Sequence, residues 1–526
     1  MVQEGHEYVQ SWSNNQEGVF GIPTQYMLSP RRLNNSGICL MNIKEKLYPY
    51  QREDVYGKLT ALPRCLNRNP MGLGKTVEAL ALCEELGTCH NLIVCRKTMI
   101  GEWFYQIDFW LDGDCLTPHE NGQYDHKLAG LDLATPRFVC VNYDMISMPK
   151  YRNLLLDVKW DMIIFDEAHH LKNHEAKRTK NAYLLVSGRP RIHFMTGTPI
   201  RNTPMDLFPL FRMMNPREYH NWRQWRDWFC IVEEDEIWMK PSDGGKPRPR
   251  LIKRIVPGTN NEDLLNALLV QYSVFHEKSD VMPQLPPKQY RQIPVELGSE
   301  RTQYDTMQKE YFAILDGGVK ITAPKAIAQM TRLRQICLDP NTLLPELPRT
   351  STPSNKTLTL LDVIDETDGK LVVFTWFERY ASILDSVLVD KGISHTLITG
   401  QVKGNNRTKA ELDFQNNPNI KVLLGTIGAA GEGLTLTAAD TVIFTDLFWT
   451  PAVNEQCEDR VHGRVDKGLE SDKRVLIVDL FCNDTVEQHV HDVVRAKEEM
   501  IERIVMRRVV DRMRQGERRL NDNDNV

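Results

Sequence analysis

Short apolar runs, each followed by polar turn residues, alternate with helical patterns in the first half of the chain. They lie between Leu47 and about Pro216 and are rich in β-branched or aromatic residues. The runs are NLIVC (Asn91–Cys95), RFVCV (Arg137–Val141), DMIIF (Asp161–Phe165) and IHFMT (Ile192–Thr196). Brief, continuously apolar segments of this kind are typical of parallel strands that are buried on both faces. The pattern therefore predicts an α/β lobe.

The same pattern returns in the C-terminal half. Its runs are KLVVFT (Lys370–Thr375), SHTLITG (Ser394–Gly400), KVLLGT (Lys421–Thr426), DTVIFTD (Asp440–Asp446) and RVLIVDL (Arg474–Leu480). We predict the α/β fold class, with two parallel-sheet lobes and a helical insertion and linker between them. Two such lobes joined by a linker favour a ligand site in the cleft that separates them.

Changes in composition along the chain set the predicted domain boundaries. The stretch after the first lobe is rich in Trp, Gly and Pro, and the chain ends in a basic tract and a polar tail. We predict an N-terminal extension (1–45), lobe 1 (46–216), a helical insertion and inter-lobe linker (217–290), a helical start of lobe 2 (291–350), lobe 2 (351–495) and a basic helix with a polar tail (496–526).

Composition narrows the class of protein. A chain of 526 residues is too long for one hydrophobic core. The net charge of -5 means that any contact with nucleic acid needs a local basic face. The 11 cysteines include no C-x-x-C pair, which argues against a zinc ribbon or a disulfide framework and indicates a reducing compartment. With no secretory signal or apolar span in the sequence, we expect a soluble, intracellular protein without membrane contact.

A glycine-rich stretch has the composition of a phosphate-binding loop. Its backbone N–H groups could surround phosphates at the start of a helix, with a lysine charge and a threonine hydroxyl for Mg²⁺. The candidate residues are Met71, Gly72, Leu73, Gly74, Lys75 and Thr76. Upstream, Asn69 stands where the usual pattern has Gly, and Pro70 lacks an N–H but precedes the loop. The alternative is a glycine-rich turn that only caps a helix.

Two acidic residues, Asp166 and Glu167, follow the apolar strand DMIIF. A carboxylate at a strand end, across from a phosphate loop, can hold Mg²⁺ through water, and its neighbour can act as the base that orients the attacking water. The alternative is a solvated turn. The two candidates together predict an ATP site that uses Mg²⁺.

These motifs resemble those of the Swi/Snf-type DNA-dependent ATPases of helicase superfamily two. Gly72–Thr76 resembles motif I, DEAHHLKN (Asp166–Asn173) motif II and MTGTPIRN (Met195–Asn202) motif III, and the resemblance covers about residues 46–495. It implies two RecA-like lobes, and it implies that Gln51 of LYPYQ recognises adenine.

The second lobe extends the resemblance. AAGEGLTLT resembles motif V and implies a nucleotide contact for Gly433, while QCEDRVHGR (Gln456–Arg464) resembles motif VI. Arg460 matches the first arginine finger of that motif, which reaches the γ-phosphate across the cleft. Arg464 is a displaced second candidate. If the helix continues that far, Gln456, Arg460 and Arg464 share one face. The alternative is a helix with exposed arginines.

Two departures from the family pattern bear on the site. Arg68-Asn69-Pro70 stands where the family usually has Ala-Asp-Glu, and Phe275-His276 replaces the usual Arg pair before the inter-lobe connector HEKSDVMPQLPPK. The connector and the segments LTLT (434–437) and LFWTP (447–451) are similar to the distant branch that includes HARP-type annealing helicases.

Three further segments have two interpretations each. HNWRQWRDWF places Trp222, Trp225 and Trp228 at spacings of three, which suits base stacking or a helix packed on its lobe. The basic stretch Lys240–Arg254 is either a mobile loop for phosphate contacts or a solvated loop. The tract Arg495–Leu520 is predicted to be a charged surface helix. No metal beyond Mg²⁺ is assigned.

We predict an ATP-dependent translocase that remodels double-stranded or branched DNA, or protein–DNA structures, in replication, recombination or repair. Partners would be that DNA and possible replication or recombination proteins, and we expect a monomer. The absence of chromatin-reading segments from the sequence favours a bacterial or viral source; the protein would be cytoplasmic there and nuclear in a eukaryote. The alternatives are a strand-separating or RNA-dependent helicase and, outside the enzymes, a DNA clamp that holds ATP without turnover.

Overall fold

The structure is a computed structural model. It describes residues 43–111, 115–116, 137–239, 248–256, 258–283, 285–316, 323–343, 353–402, 405–431, 434–462 and 474–505. In these ranges no helix is both long enough and apolar enough to cross a membrane.

Lobe 1 is built on a parallel sheet with helices on both faces. Its first six strands are β1 (Arg64–Asn67), β2 (Asn91–Cys95), β3 (Cys115–Leu116), β4 (Phe138–Asn142), β5 (Met162–Asp166) and β6 (Arg191–Met195). Its helices are α1 (Ile43–Lys46), α2 (Pro49–Arg52), α3 (Lys75–Glu85), α4 (Ile100–Leu111), α5 (Pro149–Asp157), α6 (Lys177–Val186) and α7 (Phe208–Met214), and a π-helix spans Glu53–Leu59. Short 3₁₀ turns follow several of the strands.

The segment between the lobes contains strands as well as helices. It comprises α8 (Trp222–Phe229), β7 (Ile231–Met239), β8 (Arg248–Val256), α9 (Glu262–Tyr272), β9 (Ser273–Val274) and α10 (Lys278–Val281). Strands β7 and β8 form an antiparallel hairpin of their own, and β9 pairs with β1 as an edge strand of lobe 1. The first sheet therefore has the order β3-β4-β2-β5-β6-β1-β9.

Lobe 2 is a second parallel sheet, of order β10-β15-β14-β11-β13-β12. Its strands are β10 (Gln289–Val295), β11 (Leu371–Thr375), β12 (His395–Ile398), β13 (Val422–Thr426), β14 (Thr441–Phe444) and β15 (Leu476–Cys482). Its helices are α11 (Arg301–Asp316), α12 (Ala323–Leu338), α13 (Asn355–Glu366), α14 (Glu378–Asp390), α15 (Asn405–Asn416), α16 (Ile427–Ala430), α17 (Pro451–Glu458) and α18 (Val486–Val505).

Alternating side chains of each strand pack on opposite faces of the sheets. In β5, Ile163 and Phe165 belong to one apolar cluster, while Met162 and Ile164 belong to another. All five residues of this strand are buried, as expected for a strand covered on both faces. The predicted fold class, two α/β lobes on parallel sheets with an intervening linker, is confirmed. The domain boundaries given above stay predictions.

The basic stretch between the lobes differs from its prediction. Residues 248–254 do not form a loop, because they belong to β8 and lie opposite an acidic strand. Glu233 is paired in register with Arg254 and Glu234 with Lys253, and the Lys253 Nζ lies 3.4 Å from Glu234 Oε1. Opposite charges directly across an antiparallel pair stabilise it, and Lys253 and Arg254 have such partners. Residues 240–247 lie outside the described part of the chain.

The tryptophan-rich helix α8 packs on lobe 1. Trp225 is 1% exposed within the apolar cluster of that lobe, and its indole N–H donates to the Pro204 carbonyl at 3.0 Å. Phe229 is also buried, whereas Trp228 remains exposed. Of the two interpretations of this segment, a helix packed on its lobe therefore accounts for Trp225.

A buried ion pair joins the last described helix to lobe 2. Lys356 of α13 has a fully buried side chain, which donates to the Thr445 carbonyl at 2.9 Å and pairs with Glu487 of α18. Removal of one partner from a buried pair leaves the other charge without compensation.

We expect Lys356→Met to lower the free energy of unfolding by about 3–5 kcal/mol, because Glu487 would remain buried without its cation. Denaturant unfolding measures this change. Lys391→Met, at an exposed position after α14, is the matched control and should have little effect. Equal effects of the two substitutions would contradict the role of the pair.

Candidate active site between the two lobes

A cleft of about 370 Å³ is lined by residues of both lobes. Lobe 1 contributes the residues around the glycine-rich loop and the end of β5, and lobe 2 contributes residues from the end of α17. The lining residues that the sequence predicted are Gln51, Met71, Gly72, Gly74, Lys75, Thr76, Asp166, Glu167, Gln456 and Arg460. Residues of motifs I, II and VI, together with Gln51, therefore meet in one cavity.

The glycine-rich loop has the backbone that its glycines permit. Gly72 and Gly74 have φ angles of 86° and 78°, in the left-handed region that side chains disfavour. Gly74 precedes the first residue of α3, and a Cβ there would collide with the Gln51 side chain. Only glycine fits this position, and the N-terminus of α3 points its free N–H groups into the loop.

Lys75 is held by its own loop. Its Nζ donates to the carbonyls of Asn69 at 2.7 Å and Pro70 at 3.1 Å. Burial lowers the pKa of Lys75 from its ordinary value, and the nearby carboxylates of Glu167 and Asp166 act in the opposite direction. The two carbonyl contacts hold the ammonium group close to the carboxylates of Glu167 and Asp166.

Two predicted nucleotide-binding residues have contacts that the sequence did not indicate. The buried Gln51 side chain accepts from Tyr48 N at 2.9 Å and donates to the Leu73 carbonyl at 3.0 Å. Leu73 does not line the cavity, because its side chain is buried beside Tyr50, Met282 and others. The Leu73 backbone carbonyl, and not its side chain, makes the contact with Gln51 that holds the loop.

Asp166 ends strand β5 and is fixed by two aromatic side chains. The indole N–H of Trp103 donates to Asp166 Oδ2 at 3.0 Å, and the Tyr143 hydroxyl donates to the Asp166 carbonyl at 2.7 Å. Burial, together with the negative charge of Glu167, raises the pKa of Asp166 to about 6. A carboxylate that is costly to keep charged in this position gains from a nearby cation.

Glu167 has a strained backbone, with a φ of 50°. Its Oε2 lies 3.1 Å from His169 Nδ1 and 3.4 Å from the Thr196 hydroxyl. Burial disfavours the charged form, but the hydrogen bond from His169 and the charges of Lys75 and Arg201 outweigh it and hold the pKa of Glu167 below its usual value. Glu167 is therefore ionised at neutral pH.

Arg460 reaches from lobe 2 to the glycine-rich loop. Its Nε donates to the Gly431 carbonyl at 3.2 Å, and its Nη2 lies 3.9 Å from the Met71 sulfur in lobe 1. The condition stated for a shared helical face of Gln456 and Arg460 is not met, because α17 ends at Glu458 and turn-type hydrogen bonds follow. Arg460 and Gln456 nevertheless line the same cavity. Arg464 and Gly433 lie outside the described residues.

Several side chains that hold the site were not predicted. His169 occurs in DEAHHLKN and Trp103 lies in α4, but their hydrogen bonds to the two carboxylates become visible only in three dimensions. Helix α4 adds an aromatic wall to the cavity, with Tyr105, Phe109 and Trp110. For His169, the imidazole two residues after Glu167 is a signal that could have indicated the contact, whereas Trp103 lies 63 positions from Asp166 and no sequence pattern links the two.

The cavity offers oxygen ligands that suit Mg²⁺. The Thr76 hydroxyl and the Asp166 carboxylate both line it, and Mg²⁺ is usually bound through few protein oxygens together with phosphates and water. The raised pKa of Asp166 fits a carboxylate that a cation would stabilise. In the described ranges, Cys337, Cys482 and Glu487 also lie close together, but the Lys356 ammonium already pairs with that glutamate.

Two lobes with a phosphate loop, a carboxylate pair and an arginine in one cleft define a helicase-like ATPase. The SNF2-related domain family matches residues 63–342, and the helicase conserved C-terminal domain family matches residues 355–465. The chain belongs to the SNF2-related family. The predicted family and enzyme class are thereby confirmed.

Curated relatives are similar over most of this chain. DNA annealing helicase and endonuclease ZRANB3 of Homo sapiens is 25% identical over 431 residues, which cover 80% of this chain and 37% of the relative. The SWI/SNF-related matrix-associated actin-dependent regulator of chromatin subfamily A-like protein 1 of Drosophila melanogaster is 23% identical, with 88% and 56% covered. The chain thus spans about a third to a half of the length of these two relatives.

A solved structure is also similar. The Sulfolobus solfataricus SWI2/SNF2 ATPase core in complex with dsDNA is 21% identical and has a TM-score of 0.40, with 89% of this chain and 94% of that chain covered.

We expect Arg460→Ala to lower ATP turnover by roughly a hundredfold or more, the range of arginine fingers, with little change in ATP affinity. The reason is that a finger compensates charge that develops during phosphoryl transfer. Steady-state ATPase assays and nucleotide titrations measure the two quantities. Arg291→Ala, which removes an exposed arginine 3.6 Å from Glu366 in lobe 2, is the matched control. Unchanged turnover in Arg460→Ala would remove this residue from the site.

Proposed function

We propose that the protein is an ATP-driven translocase on double-stranded DNA. One observation carries the proposal: Lys75, Asp166 and Glu167 of lobe 1 and Arg460 of lobe 2 line a single cavity. A site that both lobes complete can connect each hydrolysis event to a movement of one lobe against the other, as a motor requires.

The residues divide the chemistry of phosphoryl transfer among them. Lys75 and the N–H groups at the start of α3 bind the phosphates, and Thr76 with Asp166 would hold Mg²⁺, which neutralises phosphate charge when bound. Glu167, ionised at neutral pH, is the base that orients the attacking water. Arg460 acts from the other lobe on the charge that builds up on the γ-phosphate.

The non-enzymatic alternative, a clamp that holds ATP without turnover, is disfavoured by this set. A clamp needs the phosphate loop, but it has no use for an ionised base or for an arginine that reaches across the cleft. The lowered pKa of Glu167 and the contact from Arg460 to Met71 are features of a hydrolytic site.

DNA is the substrate that the names of the relatives favour. One relative is named as a DNA annealing helicase and another as a chromatin regulator of the SWI/SNF type. From these names we infer that this protein also acts on DNA, and we propose that double-stranded or branched DNA is its preferred form. A strand-separating or RNA-dependent helicase stays the alternative. The proposal includes a role in replication, recombination or repair and a monomeric state. It also includes a location in the cytoplasm for a bacterial or viral source, or in the nucleus for a eukaryotic one.

DNA would be bound through its backbone. With a net charge of -5 for the chain, contact depends on a local basic track across the lobes. The strand β8 is a weak candidate for that track, because two of its basic residues, Lys253 and Arg254, lie opposite glutamates of β7. Affinity should therefore fall steeply with salt and depend little on base sequence.

The decisive experiment compares ATPase rates without nucleic acid and with duplex DNA, forked DNA or RNA. We expect duplex and forked DNA to stimulate turnover and RNA to have little effect, and we expect the stimulation to weaken with salt. Glu167→Gln is the control, since it should bind ATP and DNA without hydrolysis.

Two results would contradict the proposal in different ways. Stimulation by RNA alone would favour the RNA-dependent helicase. ATP binding without turnover in any condition would favour the clamp. Lys75→Ala distinguishes this protein from a contaminating ATPase, because loss of the phosphate-loop charge should abolish the measured activity.

A further inference from the structure

The segment that joins the lobes contacts both halves of the active site. We call residues 275–290 the connector. At its start, Phe275 and His276 contact Arg68 and Asn69, which lead into the glycine-rich loop, and further along it Lys278 and Lys288 lie against the end of α17. One short stretch of chain therefore touches the phosphate loop and the residue that precedes Arg460.

Asn69 is the contact point on the loop side. It is completely buried, and its side-chain N–H groups donate to Asp54 Oδ2 at 2.9 Å and to Glu78 at 3.3 Å. Its side-chain oxygen accepts the backbone N–H of His276 at 2.9 Å. An amide can donate to two carboxyl groups and accept from the connector at once, whereas an aspartate here would place a third acidic group beside Asp54 and Glu78 and could donate to neither when ionised.

His276 completes the network on the connector side. Its Nε2 lies 3.0 Å from Asp54 Oδ1, and its ring packs edge-on against Tyr50. Beside it, the Arg68 guanidinium lies 4.4 Å from the centre of the Phe275 ring. The two departures from the family pattern, at residues 68–70 and at residues 275–276, are thus in direct contact with each other.

The network leads to the phosphate-binding lysine. The Asn69 side chain is fixed by Asp54, Glu78 and His276, and the Asn69 backbone carbonyl accepts from Lys75 Nζ at 2.7 Å. A shift of Asn69 would therefore move the carbonyl that holds Lys75. Leu73 provides a second link, because its buried side chain packs with Met282 and Leu285 of the connector.

We propose that His276 is a positioning residue for ATP, whose protonated ring holds Asp54 and, through Asn69, sets the position of Lys75. The proposal rests on the proposed function, since it concerns the same ATP site. It predicts that the connector controls the apparent affinity for ATP and that this control depends on the charge of His276.

The surroundings of His276 determine the direction of the pH dependence. The hydrogen bond to Asp54 raises the pKa of His276 above its ordinary value against the effect of burial, and Glu53 and Asp280 add to the rise. Tyr50 is the other titratable group against the ring, and Glu78 lies behind Asn69; burial raises the pKa of both. The ion pair between His276 and Asp54 is therefore present at low pH and is lost as the pH rises through the raised pKa of His276.

The other end of the connector bears on the arginine of lobe 2. Lys278 Nζ lies 2.9 Å from Asp459 Oδ1, and Lys288 Nζ lies 3.0 Å from the same atom and 2.8 Å from Glu458 Oε2. Although burial disfavours the charged form, the two ammonium groups hold the pKa of Asp459 below its usual value. The connector thus fixes the residue next to Arg460 while His276 fixes the loop opposite.

The test measures KM for ATP between pH 6 and 9 in the wild type and in two variants. His276→Arg keeps a positive charge across this range, and His276→Gln keeps a hydrogen-bond donor but no charge. We expect the wild-type KM to rise roughly three- to tenfold with pH, within the range of the net contribution of one intramolecular hydrogen bond. KM should stay low in the arginine variant and high in the glutamine variant, at every pH.

The matched control is His395→Arg. His395 pairs with Asp385 in lobe 2 at 2.9 Å, as His276 pairs with Asp54, but it does not line the ATP cavity. This variant should follow the wild-type profile. A purely structural role for His276 would change the fraction of active protein, and hence the apparent kcat, but it would leave KM alone.

A wild-type pH profile of KM in both His276 variants would overturn the proposal, and so would equal KM values for all proteins. The dissociation constant of a fluorescent ATP analogue gives the same comparison without hydrolysis. If the wild type binds the analogue with the expected pH dependence but does not turn over ATP, the proposed function fails while the role of His276 stands.

Discussion

The ion pairs between the connector and the end of α17 are the constraint on which the active site depends. Lys278 and Lys288 share the Asp459 carboxylate at 2.9 and 3.0 Å, and all three side chains are largely buried. Removal of one partner from such a pair costs about 3–5 kcal/mol, because the remaining charge cannot regain water. Asp459 is therefore held close to the linker, and the next residue, Arg460, is held in the cleft, where it reaches Met71 of lobe 1.

The carboxylate pair shows how burial can give two neighbouring acids different roles. Asp166 has a pKa raised to about 6 by burial and by its neighbour, whereas hydrogen bonding and nearby cations keep the pKa of Glu167 low. The first group gains from a cation, and the second remains an ionised base. Their supports differ accordingly: an indole N–H holds Asp166, and His169 holds Glu167. This difference fits the proposed roles, in which Asp166 helps to hold Mg²⁺ and Glu167 orients the attacking water.

Much of the fold could be predicted, because buried parallel strands are continuous apolar runs and glycines mark the phosphate loop. The strand β2 coincides with NLIVC, whereas the polar residues around Asn67 concealed the burial of β1. Contacts between distant residues could not be predicted: His276 and Asn69 are 207 positions apart. The hairpin was missed because its basic strand pairs with an acidic one, and the end of α17 at Glu458 was missed because helix ends depend on tertiary contacts.

The central claim is that both lobes complete one site for the transition state of ATP hydrolysis. The most direct measurement is the affinity for ADP with Mg²⁺ and aluminium fluoride, a mimic of the transferring phosphoryl group, in the wild type and in Arg460→Ala. We expect the wild type to bind this mixture at least about a hundredfold more tightly than ADP alone, as transition-state analogues do. The variant should bind both with the affinity of ADP alone. Full tightening in Arg460→Ala would contradict the claim, because lobe 1 would then suffice.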